Sequence, residues 1–176
     1  ESSDVQVGFV QDGLGNPDEA PDLSSLGSLY YEPFWVFYSG TKIFTRLSDL
    51  VGQKIAIGKP NSGTNILAKR ILKSSGVDEK NAEFVELGSQ NAANALKAGE
   101  VTVAVFLTTG DDPLIDKLMH DTTVSVMSFD QAEAITRQIP FLHHLTLPHG
   151  AMDLQKNIPA QDIHLVAPTV TLLVRD

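Results

Sequence analysis

The sequence predicts an α/β fold in which one complete lobe, built on a mainly parallel five-stranded sheet, is flanked by strands of a second lobe. Short apolar strand patterns alternate with helical patterns from residue 54 to residue 147, and the connections between them are short. Residues 101–107 form a continuous apolar run, which is typical of a strand covered on both faces. This run is therefore the predicted centre of the sheet.

The first strand–helix unit spans residues 54–76. Residues 54–57 are predicted to form a short buried strand, Ser62 and Thr64 offer helix caps, and Gly76 supplies a left-handed end. The helix is indicated by apolar residues at helical spacing: Leu67, Ala68, Ile71 and Leu72.

Three further helices and four further strands complete the lobe. Residues 84–87 are a predicted strand and residues 89–97 a small Ala-rich helix. After the central strand, Asp111 or Asp112 is expected to cap a helix that has Pro113 at its first position.

The last two strands are predicted at residues 123–129 and 142–147. Between them, Asp130 and Glu133 have the spacing of a capping box, which indicates the start of a helix that ends before Pro140.

Strand patterns flank the lobe at residues 5–10, 30–38 and 170–174. Pro33 indicates that the second of these strands lies at an edge or bends. We expect these strands to belong to the other lobe, which the chain leaves near residues 41–47 and re-enters near residues 158–166. Two such crossings would form a hinge.

The predicted division places a partial first lobe and hinge strand at residues 1–45, the second lobe at residues 46–152, and a return hinge with a first-lobe strand at residues 153–176. Because the sequence begins at Glu1 in place of Met and ends on a strand pattern, we expect it to be part of a longer protein.

The amino-acid composition and net charge limit the kinds of partner and site that the chain can have. The net charge of -9, without a cluster of Lys and Arg, argues against nucleic acid as a partner. An anionic ligand would have to be held by local groups such as backbone N–H dipoles, since the overall field repels it. The absence of Cys excludes disulfides, thiolate metal sites and a Cys nucleophile.

The most informative stretch is the bend at residues 57–64. Its small polar residues, Asn61, Ser62, Gly63 and Thr64, lie between a strand and a helix, where backbone N–H groups have no partner within the helix. Such a place binds carboxylate or phosphate. Two alternatives stay open, namely that the hydroxyls only cap the helix, or that they cap it and bind ligand. The spacing is not that of a P-loop, so nucleotide hydrolysis is not predicted.

A second bend, residues 107–113, connects the central strand to the next helix and contains Thr108 and Thr109. Ligands of open α/β sheets collect outside the carboxyl ends of the strands, so we expect the two bends to border one crevice. Asp112, before Pro113, is expected to act as a helix cap and not as a ligand contact.

Two other groups have simpler explanations. The histidines at positions 143, 144 and 149, with Asp153 nearby, match no zinc-site spacing, so neither a metal nor a cofactor is predicted. The aromatic residues at positions 30–38 are expected to pack against the sheet, with Tyr31 and Glu32 near the hinge.

The combination of these stretches resembles the TAXI family of TRAP-transporter solute receptors. The resemblance is carried by residues 29–38, 47–58, 61–64, 99–101, 106, 112–115, 145–150 and 167–170. It implies a class II periplasmic-binding-protein fold, an exported receptor with a signal peptide, a periplasmic or extracytoplasmic location, and a membrane transporter or other membrane component as partner. It also implies that an N-terminal part of the first lobe and the C-terminal helices are absent here.

Carried over by position, the resemblance implies a set of ligand-binding residues consisting of Gln11, Asp12, Tyr31, Glu32, Asn61, Ser62, Gly63, Thr64, Thr108 and Thr109. The expected ligand is a small organic acid that is bound and not chemically changed. A transferase on the same scaffold and a sensory ligand-binding module are the alternative functions. Exposed strand edges also favour a homodimer of this chain.

Overall fold

The computed structural model of the chain describes residues 6–14 and 22–175. Its strands are β1 (Val7–Gln11), β2 (Leu23–Tyr31), β3 (Phe34–Ser39), β4 (Lys54–Ala56), β5 (Glu83–Val85), β6 (Val103–Leu107), β7 (Val124–Val126), β8 (Leu142–Leu147) and β9 (Ile163–Arg175). Its helices are α1 (Gly63–Ser74), α2 (Ser89–Lys97), α3 (Pro113–Met119) and α4 (Ala132–Gln138), with a short 3-10 helix at Leu47–Leu50. Residue 5, the first of the predicted opening strand, lies outside the described residues.

The larger sheet has the strand order β5, β4, β6, β3, followed by β7 and β9 beside different parts of β3. β4 is parallel to both β5 and β6, whereas β3 is antiparallel to β6, β7 and β9. The five predicted strands of the lobe are therefore all present, and four of them run in one direction. This confirms the α/β class with a curled, mainly parallel sheet.

The smaller sheet consists of β9 between β1 and β2, both antiparallel to it. β9 is 13 residues long, and its first half pairs with β8 in the larger sheet while its second half pairs with β1 and β2. One continuous strand thus belongs to both sheets.

The aromatic segment is interior to the larger sheet and not at its edge. β3 is paired with β6 along one side and with β7 and β9 along the other, and its residues Phe34, Trp35, Val36 and Phe37, packed in the core, are at most 1% exposed. The bend indicated by Pro33 is confirmed, since this proline separates β2 from β3. The other expectation from Pro33, that this strand lies at an edge of the sheet, was wrong.

The chain crosses between the sheets twice, at Glu32–Pro33 and at Ala167–Pro168, where the backbone N–H of Glu32 donates to the carbonyl of Pro168 at 3.1 Å. The sequence pattern placed the first crossing later in the chain, at residues 41–47, and the second crossing earlier, at residues 158–166. The difference arises because β3 and the first half of β9 bury their apolar side chains in the core of the larger sheet. The lobe boundaries at residues 45 and 152 stay predictions.

The predicted caps Ser62 of α1 and Asp112 of α3 are confirmed, whereas Thr64 lies inside α1 and caps nothing among the described residues, and the predicted cap of α4 is wrong. The Ser62 hydroxyl accepts from the N–H of Asn65, and the Asp112 carboxylate accepts from that of Leu114. The N-cap of α4 is Gln131 and not Asp130, and it makes no side-chain cap, so Glu133 lies only two positions after the N-cap and forms no capping box. In the described part of the chain, no helix has the length and apolar character needed to cross a membrane.

Candidate functional site

The two predicted bends lie at the same edge of the larger sheet. β4 and β6 pair in parallel through Ile55 with Val103 and Ala56 with Ala104, so their carboxyl ends point the same way. The bend after β4 leads into α1, and the bend after β6 leads into α3. β5, parallel to β4, ends at this edge too. We call it the polar edge, formed by residues 57–64, 86–88 and 108–112.

The start of α1 leaves backbone donors available at the polar edge. The Ser62 hydroxyl donates to the carbonyl of Lys59 at 2.8 Å and accepts from the N–H of Asn65 at 3.2 Å. Within the described residues, the backbone N–H groups of Gly63 and Thr64 and the Thr64 hydroxyl have no hydrogen-bond partner. Ser62 is therefore occupied as a cap, whereas Gly63 and Thr64 present unused donors.

The turn before α1 passes very close to the helix. Gly58 is buried and has a φ of 94°, in the region that favours glycine. A Cβ at this position would lie 2.9 Å from the Thr64 Cβ and 3.0 Å from the Asn65 nitrogen. The absence of a side chain at Gly58 thus lets the backbone cross directly over the first turn of α1.

The second bend is held by its own hydrogen bonds. The Thr108 hydroxyl donates to Asp112 at 2.9 Å, and the Thr108 carbonyl accepts from the indole N–H of Trp35 at 3.0 Å. The N–H of Asp112 donates to the carbonyl of Thr109 at 3.2 Å. Among the described residues the Thr109 side chain makes no hydrogen bond, so Thr109 has the free hydroxyl of the pair.

Gln11 connects the smaller sheet to the polar edge. Its side-chain amide N–H donates to the Glu32 carboxylate, and its carbonyl oxygen occupies the space that a Cβ on Gly63 would fill. Burial raises the pKa of Glu32 above its ordinary value. The structure thus brings together Gln11, Glu32 and Gly63, three of the predicted site residues from separate parts of the chain.

The other predicted residues from the smaller sheet have their own partners. Asp12 accepts from the hydroxyls of Thr169 and Thr171 on β9. The Tyr31 ring packs edge-on against His143, with ring centres 5.2 Å apart. The ligand-binding roles of all ten predicted residues stay predictions.

Two contacts near the polar edge were missed from the sequence. The aliphatic stem of Lys59 lies against Gly88, the residue before α2, which brings an ammonium-bearing side chain between α1 and α2. Glu86, after β5, accepts from both Asn65 and Lys69 at 3.1 Å, and these hydrogen bonds lower its pKa. The Lys59 contact could have been suspected from sequence, because Lys59 lies within the polar bend. The Glu86 contacts could not, because they depend on the parallel pairing of β4 and β5.

The segment that carries Gln11 is fastened to the lobe by Arg70 of α1. The guanidinium donates to the carbonyl of Gly13 at 2.9 Å and lies 4.6 Å from the centre of the Phe141 ring. Two surface grooves, of about 300 and 190 Å³, lie between α1 and α4, and neither is lined by a predicted site residue.

Two of the histidines contact acidic side chains. In the part of the chain that the structure describes, no three His, Asp or Glu side chains converge as metal ligands. His149 instead contacts Asp162 at 2.8 Å, and His120 contacts Asp153 at 3.3 Å.

Comparison with known proteins agrees with this architecture. The NMT1-like family matches residues 12–176 of the chain. The fold is similar to that of the periplasmic aliphatic sulphonate binding protein SsuA from Escherichia coli, with a TM-score of 0.55 and 20% identity over 75% of this chain and 42% of that one.

Two further solved structures share the fold. The alkanesulfonate-binding protein SsuA from Xanthomonas axonopodis pv. citri, bound to MOPS, has a TM-score of 0.53 and 18% identity over 97% of this chain and 48% of that one. The CcmR regulatory domain of Synechocystis PCC6803, in complex with 2-PG, has a TM-score of 0.51 and 16% identity over 94% of this chain and 64% of that one. The chain thus spans about half the length of the proteins it matches.

Proposed function

The chain belongs to the NMT1-like family, and we propose that it is the ligand-binding part of an extracytoplasmic solute receptor. Its ligand is a small organic molecule with a carboxylate, which it holds without chemical change and passes to a membrane transporter. The resemblance of its sequence motifs to TAXI receptors favours a TRAP-type transporter as the partner. The fold shared with two sulphonate-binding proteins supports the receptor class.

The observation that carries the proposal is the pair of N–H donors on Gly63 and Thr64, which have no partner among the described residues. They lie at the positive end of the α1 dipole, next to the Thr64 hydroxyl, where a carboxylate is favoured by about 0.3–1 kcal/mol per contact. Gln11 lies against Gly63, so a bound ligand would contact both sheets. Movement of one sheet relative to the other would then enclose the ligand.

A receptor fits the polar edge better than an enzyme does. The Ser62 hydroxyl donates to a backbone carbonyl, that of Lys59, and the Thr108 hydroxyl donates to Asp112, whose carboxylate also caps α3, so both hydroxyls have a role in the local fold that does not require catalysis. The transferase alternative requires turnover, and a screen for product formation from candidate anionic metabolites tests it directly.

A sensory module is the second candidate. Its support is the fold shared with the CcmR regulatory domain, which is solved in complex with a small molecule. The domains that adjoin this chain in the full-length protein distinguish the two, because a signalling domain favours sensing and an isolated receptor favours transport.

The direct test begins with mass spectrometry of small molecules released from the purified protein. The identified compound is then titrated by calorimetry into the unchanged protein and into Thr64→Val, which removes the hydroxyl and keeps the shape. Loss of one hydrogen bond of about 1 kcal/mol raises Kd roughly fivefold, with little change in melting temperature.

Thr122→Val is the matched control, since Thr122 is exposed in the loop between α3 and β7. Equal affinity for Thr64→Val and the control would remove Thr64 from the site. Release of no small molecule, together with no binding of mono- or dicarboxylates, would contradict the receptor itself.

A further inference from the structure

Two histidines from neighbouring strands meet on the surface of the larger sheet. Nε2 of His144, on β8, lies 3.0 Å from Nδ1 of His164, on β9, and both side chains are exposed. In the antiparallel register His144 is opposite Val166, and His164 is opposite Thr146. The histidines are therefore diagonal neighbours on one face of the strand pair.

The separation of the two nitrogens is that of adjacent ligands on one metal ion. With metal–nitrogen bonds of about 2.0–2.1 Å, two nitrogens 3.0 Å apart subtend about 95° at the metal. Tetrahedral zinc requires roughly 3.3 Å between its ligand atoms. An angle near 90° instead suits the square-planar or tetragonal geometry of Cu²⁺ and Ni²⁺.

We propose that His144 and His164 form a chelating site for Cu²⁺ or Ni²⁺. Imidazole nitrogen is a favoured ligand of both ions, and Cu²⁺ binds such ligands most tightly in the first-row series. The six paired positions of β8 and β9, from Leu142 with Pro168 to Leu147 with Ile163, hold the two histidines in register. Little ordering of the backbone is then needed when the ion binds.

The protons balance without a further reactant. In the metal-free arrangement one ring N–H donates to the other ring, so only one of the two facing nitrogens has a free lone pair. On metal binding the donor ring carries its proton on its other nitrogen, and both rings remain neutral. Both facing nitrogens then have a lone pair for the ion.

The Thr146 hydroxyl lies 3.3 Å from Nδ1 of His164 and gives up this contact when the ion binds. Among the described residues no third His, Asp or Glu joins the pair, so the remaining coordination positions are left to water. Asp162 already accepts from the backbone and the ring of His149 at 2.8 Å. His143 alternates to the opposite face of β8 and packs against Tyr31. The site differs from the set considered from sequence, because His164 is 20 residues from His144 and only the strand pairing brings them together.

The test is a titration of the purified chain with CuCl₂ and with NiCl₂ in a buffer that does not bind metals. Electron paramagnetic resonance of the unchanged protein with one equivalent of Cu²⁺ should show two equatorial nitrogens. Calorimetry should give affinities for His144→Gln and His164→Gln that are each lower by about tenfold or more, since the second ligand then no longer acts intramolecularly.

His143→Gln is the control, because it removes an adjacent exposed imidazole from the other face and should leave the affinity unchanged. A spectrum with one nitrogen, or equal affinity in all three variants, would overturn the proposal. The spectrum needs no variant, so a folding defect in a substituted chain does not affect it. The result is also independent of the solute that the polar edge binds.

Discussion

Gly58→Ala tests how closely the turn after β4 approaches the start of α1. The substitution adds one methyl group at a buried position whose φ is 94°. The methyl carbon would lie 2.9 Å from the Thr64 Cβ and 3.0 Å from the backbone nitrogen of Asn65. These are contacts with a branched side chain and with the backbone, so neither can be relieved by a simple rotation.

Two costs add at this position. A non-glycine residue at positive φ is destabilised by about 1–2 kcal/mol. Overpacking of a well-packed site costs about 1–3 kcal/mol more. The expected loss in the free energy of unfolding is therefore about 3 kcal/mol, which corresponds to a fall in melting temperature of roughly 10 °C for a chain of this size.

Gly76→Ala is the matched control. Gly76 has a φ of 77° and nothing within 4 Å of an added Cβ, so it bears the backbone cost alone. We expect a loss of about 1 kcal/mol there. Urea unfolding at equilibrium, followed by circular dichroism, measures both variants. If the two substitutions cost the same, the close passage of the turn over α1 is not present in solution and the positioning of Gly63 and Thr64 lacks its physical basis.

Three further predictions concern stability. Asp112→Ala removes the cap of α3 and should cost about 1 kcal/mol in urea unfolding, whereas Asp111→Ala, at an exposed position beside it, should change stability by less than about 0.5 kcal/mol. Ile71→Ala, at a fully buried position of α1, should cost about 2–5 kcal/mol by the same measurement, and a loss below about 1 kcal/mol would contradict its place in the core. The hydrogen bond from Lys97 lowers the pKa of Asp121, so the ionised Asp121 side chain stabilises the fold above about pH 4, and this stabilisation is lost as the pH falls towards the folded-state pKa. Asp121→Asn should therefore be less stable than the unchanged protein at pH 7, and the difference in the free energy of unfolding should be smaller at pH 3.

The elements that depend on local pattern were predictable from sequence. The helix at α1 followed from apolar spacing and from the Ser62 cap, and the continuous run ending at Leu107 identified β6 as a buried strand. The common edge for the two bends followed from the parallel alternation of strands and helices, and the pairing of β4 with β6 confirms it.

Features that depend on contacts between distant residues were not predictable. The burial of β3 requires its pairing with β6, which is about 70 residues away and leaves no local signal. Gln11 and Glu32 were included in the candidate set through the family resemblance, but nothing in the sequence indicated that the Gln11 amide would bridge Glu32 and Gly63. The meeting of His144 and His164 likewise depends on the β8–β9 register.

The two crossings between the sheets have a mechanical consequence. Each contains a proline, Pro33 or Pro168, whose ring restricts φ, and the crossings are tied to each other through the N–H of Glu32. Rotation of one sheet against the other must change the backbone torsion angles of both segments at once. The two segments together should therefore resist this rotation more strongly than one flexible linker would. Such a linkage would favour one angle between the two sheets over all others.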